Sequence, residues 1–162
     1  CDYGTQNPTA FLFWQQGADK KWYCRREYYY SGRDKGRQKT DAEFSRDLKD
    51  WLHDESIRSV ILDPAAASFK AQLEKDGFKV KKAKNDVIDG IRLVATLLLT
   101  GSIFIDKSCE NLIKEFASYI WDAKAADKGE DKPVKEHDHA LDALRYFCMT
   151  IIKMRPGIRI LK

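Results

Sequence analysis

No CxxC pair, no apolar run of membrane length and no phosphate-binding loop of the usual spacing occur in these 162 residues, and each absence removes a class of function. The four cysteines, Cys1, Cys24, Cys109 and Cys148, are widely spaced with no secretory signal ahead of them, which argues against a zinc knuckle or a disulfide framework and fits a reducing cytoplasm. The longest apolar stretch, within Ile88 to Ile105, is broken by Asp89, Arg92 and Gly101, so no membrane span is expected. In Gly32 to Thr40 the Lys39-Thr40 pair does not directly follow the second glycine, so no ATP site is expected. His137 and His139 alternate, but on a helix they face different ways and no Cys or His partner stands nearby. Charge of one sign is also scarce. The 29 Lys and Arg against 25 Asp and Glu give +4, a balance that permits nucleic acid without demanding it and equally fits a solvated surface.

What is present suits one domain, residues 1–162, with a single core, since 43% of the residues are hydrophobic. A strand ending at Asp2 should have apolar residues before it, so Cys1 reads as the start of an excised piece. Thr9 to Gln16 and Lys21 to Tyr30 are rich in aromatic and β-branched residues around a polar link, which predicts a hairpin and, with the strand at Asp2, a three-strand antiparallel meander. Ser31 to Lys39 reads as a basic loop. Thr40 with Glu43 forms a capping box for a helix to about His53, with Phe44, Leu48, Trp51 and Leu52 on one face. Ser59 to Leu62 is a buried strand delivering Asp63-Pro64, where a helix begins that runs to Gly77, and Phe78 to Lys81 is the next strand. This alternation calls for parallel neighbours. A helix over Asp86 to Leu99, a strand over Ile103 to Ile105 and an amphipathic helix over Cys109 to Ile120 follow. Trp121 to Lys135 is polar and reads as an exposed loop or hairpin. The last helix starts near Glu136 and turns Ala140, Leu141, Leu144, Phe147 and Cys148 inward. The expected class is α/β, with a mixed sheet flanked by helices.

The chemistry lies in the acids. Asp2 and Asp63 end predicted buried strands, and Asp142 lies on the last helix. If that helix packs on the same edge, three carboxylates converge, and like charges at short range call for a cation. Mg²⁺ and Mn²⁺ prefer oxygen ligands, and two ions about 3.5–4 Å apart suit phosphoryl transfer. His139 shares a helical face with Asp142 and can hold a ligand position or orient a water, but Asp138 is also a turn away, and spacing does not choose between them. Each has a bland alternative: Asp63 before Pro64 is a common turn residue, Asp138 can complement a helix N-terminus, and a lone His is more often a surface residue.

These residues carry a family resemblance. Cys1-Asp2-Tyr3-Gly4, Leu62-Asp63-Pro64-Ala65, the run from Gly90 to Ile105, Ile113 to Phe116 with Tyr119 and Trp121, and above all Glu136 to Tyr146 (EHDHALDALRY) span nearly the whole chain. The chain resembles the C-terminal nuclease domain of the large terminase subunit of tailed bacteriophages. The resemblance implies an RNase H-like fold and Mg²⁺- or Mn²⁺-dependent cutting of double-stranded DNA with little sequence preference, to make genome ends during packaging. It implies Asp2, Asp63 and Asp142 as metal ligands with His139 as accessory. It further implies an ATPase motor absent from this chain, a small terminase subunit and a portal protein as partners, and the cytoplasm of an infected bacterium as location. By the same resemblance, the segment Trp121 to Lys135 is expected to correspond to a hairpin near the active site that gates DNA access. For phosphate contacts the candidates are Arg33, Lys35, Arg37, Lys39, Lys82 and Lys84. Lys84 and Asn85 can approach a phosphate ahead of the long helix, although with Lys79, Lys81 and Lys82 they also read as a solvated strand end.

Three other readings stay open. A Holliday-junction resolvase or transposase-like nuclease would carry a similar acidic site, so fold alone does not separate them. A noncatalytic DNA-binding or assembly module could keep the fold. Asp-Tyr-Gly-Thr also resembles the first phosphate motif of sugar kinases and actin-like proteins, but neither a second such turn nor an adenosine-binding loop is present.

Overall fold

The computed structural model describes residues 1–4, 7–119 and 138–152. The expected segment Trp121 to Lys135, and the start of the last helix at Glu136, lie outside the described residues.

The hairpin forms as expected. Strand β1 (Thr9–Gln16) pairs antiparallel with β2 (Trp22–Tyr30), with one register shift at Phe13/Trp14. Its two faces both carry apolar side chains because both are covered. Phe11 and Phe13 enter one hydrophobic cluster, whereas Ala10, Leu12 and Trp14 face another.

The first cluster is roofed by α1 (Asp41–Leu52) and α2 (Ala67–Lys75). Thr40 starts α1 with the anticipated capping box: its hydroxyl accepts from the Glu43 N–H, and the Glu43 carboxylate accepts from the Thr40 N–H. Phe44, Leu48 and Leu52 recur every four residues and are buried. Strand β3 (Val60–Leu62) is wholly buried and runs parallel to β4 (Val80–Lys82), as the strand, helix, strand order requires. Helix α2 starts at Ala67, not at Pro64. The Asp63 carboxylate accepts from the Ala65 N–H at 2.7 Å, and this local turn holds the chain out of helix for three residues.

On the opposite face lie α3 (Val87–Leu99), α4 (Glu110–Ser118) and α5 (His139–Ile151), which cover the second cluster. Strand β5 (Ile103–Ile105) adds to β2 in parallel, giving the order β1-β2-β5, with β3-β4 as a separate pair. The expected three-strand meander is therefore reduced to a hairpin plus a single antiparallel bridge between Asp2 and Ala10. The amino group of Cys1 donates to the Ile61 carbonyl at 2.8 Å, so Cys1 and Asp2 lie between β1 and β3. Beyond them the facing edges of β1 and β3 enclose a mainly apolar cavity of about 390 Å³, lined by Leu12, Trp14, Trp51, Ile57 and Phe147 among others. Among the described residues no helix is long and apolar enough to cross a membrane.

Candidate metal and nucleic-acid site

The large cavity contains none of the predicted acids. Asp2 and Asp63 lie at strand ends, and Asp142 lies on the last helix. Asp2 is held by its two-bond bridge: its N–H donates to the Ala10 carbonyl at 3.0 Å, and the Ala10 N–H donates back at 2.9 Å. Asp63 directly follows β3, two residues after Ile61, whose carbonyl accepts from the Cys1 amino group. Asp142 stands in the first turn of α5, its N–H bonded to the Asp138 carbonyl at 2.7 Å.

Tyr146 lies one turn further along α5. Burial, followed by the charges of Asp142, Asp2 and Asp63, pushes its phenol far above the ordinary value. Sequence reading assigns Tyr146 no role, because an aromatic on an apolar helix face looks like core.

Each acid has a distinct partner. His139 Nδ1 lies 3.0 Å from Asp2 Oδ2, so His139, not Asp138, makes the contact with Asp2 among the described residues. Burial pulls the imidazole down, but the hydrogen bond and charge of Asp2, with Asp138 and Glu115, outweigh it and hold His139 above its usual value. Asp142 Oδ1 accepts from Arg145 Nη2 at 2.8 Å and Nε at 3.3 Å. Burial raises the Asp142 carboxyl, Arg145 opposes that, and Asp138 and Asp2 add to the rise. Asp63 goes the other way: burial would raise it, but the Ala65 N–H, Tyr146, Asn85 and Arg145 together hold it below the usual range.

Among the described residues no three His, Cys, Asp or Glu side chains stand close enough together to share one ion. The donor chemistry nevertheless fits a hard cation. Asp2, Asp63 and Asp142 offer the carboxylate oxygens that such a cation prefers, with Arg145 on Oδ1 of Asp142 and His139 on Oδ2 of Asp2. The Asp142 carboxyl, raised by burial and further by Asp138 and Asp2, is the group such a cation would relieve.

Glu115 is unassigned from sequence and supports the site from below. Its Oε2 accepts from the N–H groups of Ala140 and Leu141 at 2.8 and 2.9 Å, capping the N-terminus of the helix that carries His139 and Asp142. The available signal was a carboxylate between the inward-facing Leu112 and Phe116 of α4.

The basic candidates surround the same edge. Thr9 pairs with Tyr30, so the loop holding Arg33, Lys35, Arg37 and Lys39 leaves the sheet close to Asp2. Leu62 pairs with Lys82, and the Ala83 N–H bonds the Leu62 carbonyl, placing Lys82 and Lys84 next to Asp63. Arg33, Lys35, Lys82 and Lys84 are exposed. Arg37 pairs with Glu43, and Lys39 pairs with Asp47 over the ring of Tyr30. Asn85 turns its amide to Asp63 Oδ2 at 3.4 Å.

The model of the terminase RNase H-like domain matches residues 2–150 of this chain. The chain belongs to that family. Among solved structures, the large terminase of a thermophilic bacteriophage is 51% identical with a TM-score of 0.92, over 94% of this chain and 39% of that one. The large terminase subunit of Escherichia phage T5 is 29% identical over 90% of this chain and 33% of its own length. This terminase-family chain thus spans between a third and two fifths of those relatives. The nuclease domain of the P22 large terminase shares the fold at 24% identity and a TM-score of 0.70, covering 91% of this chain and 77% of that one. So does the large terminase nuclease domain of bacteriophage SPP1, solved with bound Mn, at 19% identity and a TM-score of 0.62 over 91% and 80%. The RNase H-like, mixed α/β class expected from the sequence is therefore the observed one.

Proposed function

We propose that this chain is the nuclease part of a large terminase subunit, cutting double-stranded DNA with little sequence preference to generate ends during viral DNA packaging. The observation that carries the reading is the 3.0 Å contact of His139 Nδ1 with Asp2 Oδ2, which brings the first turn of α5, where Asp142 also stands, to Asp2; the family match over residues 2–150 supports it.

In this reading Asp2, Asp63 and Asp142 hold Mg²⁺ or Mn²⁺, with His139 as accessory. Two such ions, when bound, would activate the attacking water and stabilise the leaving oxygen. The chain's own residues do the rest. His139 orients Asp2, and the basic side chains place the phosphate backbone beside the acids. The SPP1 domain bound to Mn supports the choice of a divalent ion. The partners that follow are duplex DNA, an ATPase motor domain, a small terminase subunit and a portal protein, in the cytoplasm of an infected bacterium.

The test is incubation of supercoiled plasmid with the chain and an Asp142→Asn variant, in Mn²⁺ or Mg²⁺ and with a chelator. Asparagine keeps an acceptor for Arg145, so loss of cutting reports the lost charge. Metal-dependent cutting by the parent alone is expected. Equal cutting by both proteins overturns the assignment.

A further inference from the structure

Arg145 is a charged residue with only 5% of its surface exposed. Its guanidinium bonds Asp142 on one side and, through Nη1, the carbonyls of Asn85 and Asp86 on the other, the latter at 3.0 Å. The side chain of the same Asn85 reaches Asp63 Oδ2. A continuous link therefore runs from Asp142 through Arg145 and Asn85 to Asp63, between acids that come from α5 and from the end of β3.

Helix α3 is shaped to admit this link. A Cβ at Gly90 would lie 2.4 Å from Cγ and 2.6 Å from Cδ of Arg145, so no other residue fits at that position with the arginine stem in place. Glycine inside a helix costs about 1 kcal/mol relative to alanine, and the buried stem occupies the space so gained. A buried Arg–carboxylate pair contributes little net stability compared with apolar packing of similar volume, so stability alone gives weak grounds for the arrangement. Its geometry does something apolar packing could not do. It holds Oδ1 of Asp142 on two guanidinium nitrogens while the backbone of the residue that reaches Asp63 accepts from a third.

We propose that Arg145, with Asn85, is a positioning pair that sets the separation and orientation of Asp142 and Asp63 for the cation, an inference that rests on the nuclease reading above. Neither residue touches the DNA in this role. Both act through the carboxylates they hold.

The experiment measures Mn²⁺ binding by calorimetry, plasmid cleavage and thermal melting on the chain and on Asn85→Ala, Arg145→Lys, Arg145→Met and Asp142→Asn. Asn85 is exposed, so Asn85→Ala should melt with the parent while its Mn²⁺ affinity falls about 10-fold or more. Arg145→Lys should keep part of the affinity and Arg145→Met less. Combining Asn85→Ala with Arg145→Lys should cost little beyond the lysine variant alone, because one link is broken once. Parent-like affinity and cutting in both Asn85→Ala and Arg145→Lys overturn this inference and leave the nuclease reading standing. A parent that binds no more Mn²⁺ than Asp142→Asn overturns the nuclease reading, and the positioning pair with it.

Discussion

The hydroxyl of Tyr29 donates to Glu115 Oε1 at 3.0 Å, while the other oxygen of that buried carboxylate caps α5. Burial raises the Glu115 carboxyl to about 7, against the hydrogen bonds that favour its charged form. A folded-state value above the unfolded one means that this group's contribution to stability is full below about pH 4.5 and declines as pH rises through about 7. Glu115→Gln can satisfy the same partners, its amide oxygen toward the helix and its NH₂ toward Tyr29. The variant should fold and lack this part of the pH slope, whereas Glu115→Ala should lose about 1–3 kcal/mol. Urea unfolding at pH 5, 6, 7 and 8 checks both; an identical slope in parent and Glu115→Gln refutes the assignment.

Metal should stabilise the fold as well as activate it. Mn²⁺ at 100 times its dissociation constant should add about 2.7 kcal/mol, seen as a raised melting temperature that a chelator reverses. Asp142→Asn should show a much smaller rise. Equal rises in the two proteins would place the ion elsewhere.

The basic residues should divide into two groups. Arg33, Lys35, Lys82 and Lys84 have no ion-pair partner among the described residues, and each phosphate contact removed should lower the magnitude of the salt slope of DNA binding by about 1. Lys39, held by Asp47 and Tyr30, should when replaced by alanine change the melting temperature more than the slope. Filter binding across a salt series distinguishes these outcomes, and a full slope in an Arg33→Ala, Lys35→Ala, Lys84→Ala triple variant would remove these residues from the interface.

At the start of α1, Thr40→Ala removes half of the capping box and should cost about 1 kcal/mol in chemical unfolding. Cutting should be unaffected below the melting temperature, since Thr40 contacts none of the acids. A neutral effect on stability would mean that Glu43 alone holds the turn.

The legible parts of the chain are those encoded locally. The alternation of Phe11 and Phe13 with Leu12 and Trp14, the Thr40 and Glu43 cap, and the apolar stripe of α5 can each be read within a dozen residues. The strand-end position of Asp63 is equally plain. Arg145 is not, because a guanidinium is expected in water unless its partners are known, and two of those are carbonyls about 60 positions away. Glu115 escapes for the same reason, its acceptor role being set by backbone N–H groups of a later helix. The α2 boundary differs from expectation because Asp63 bonds the chain ahead of it into a turn where its type suggests a helix start.

The contact between His139 and Asp2 joins residues 137 positions apart. Closing so wide a loop carries an entropic cost, and Asp2 and Asp63 precede in sequence the helix that completes their surroundings. In the proposed role, a nascent or truncated chain lacking α5 has acids but no working centre. On that reading, hydrolytic capacity would arrive only with the finished fold.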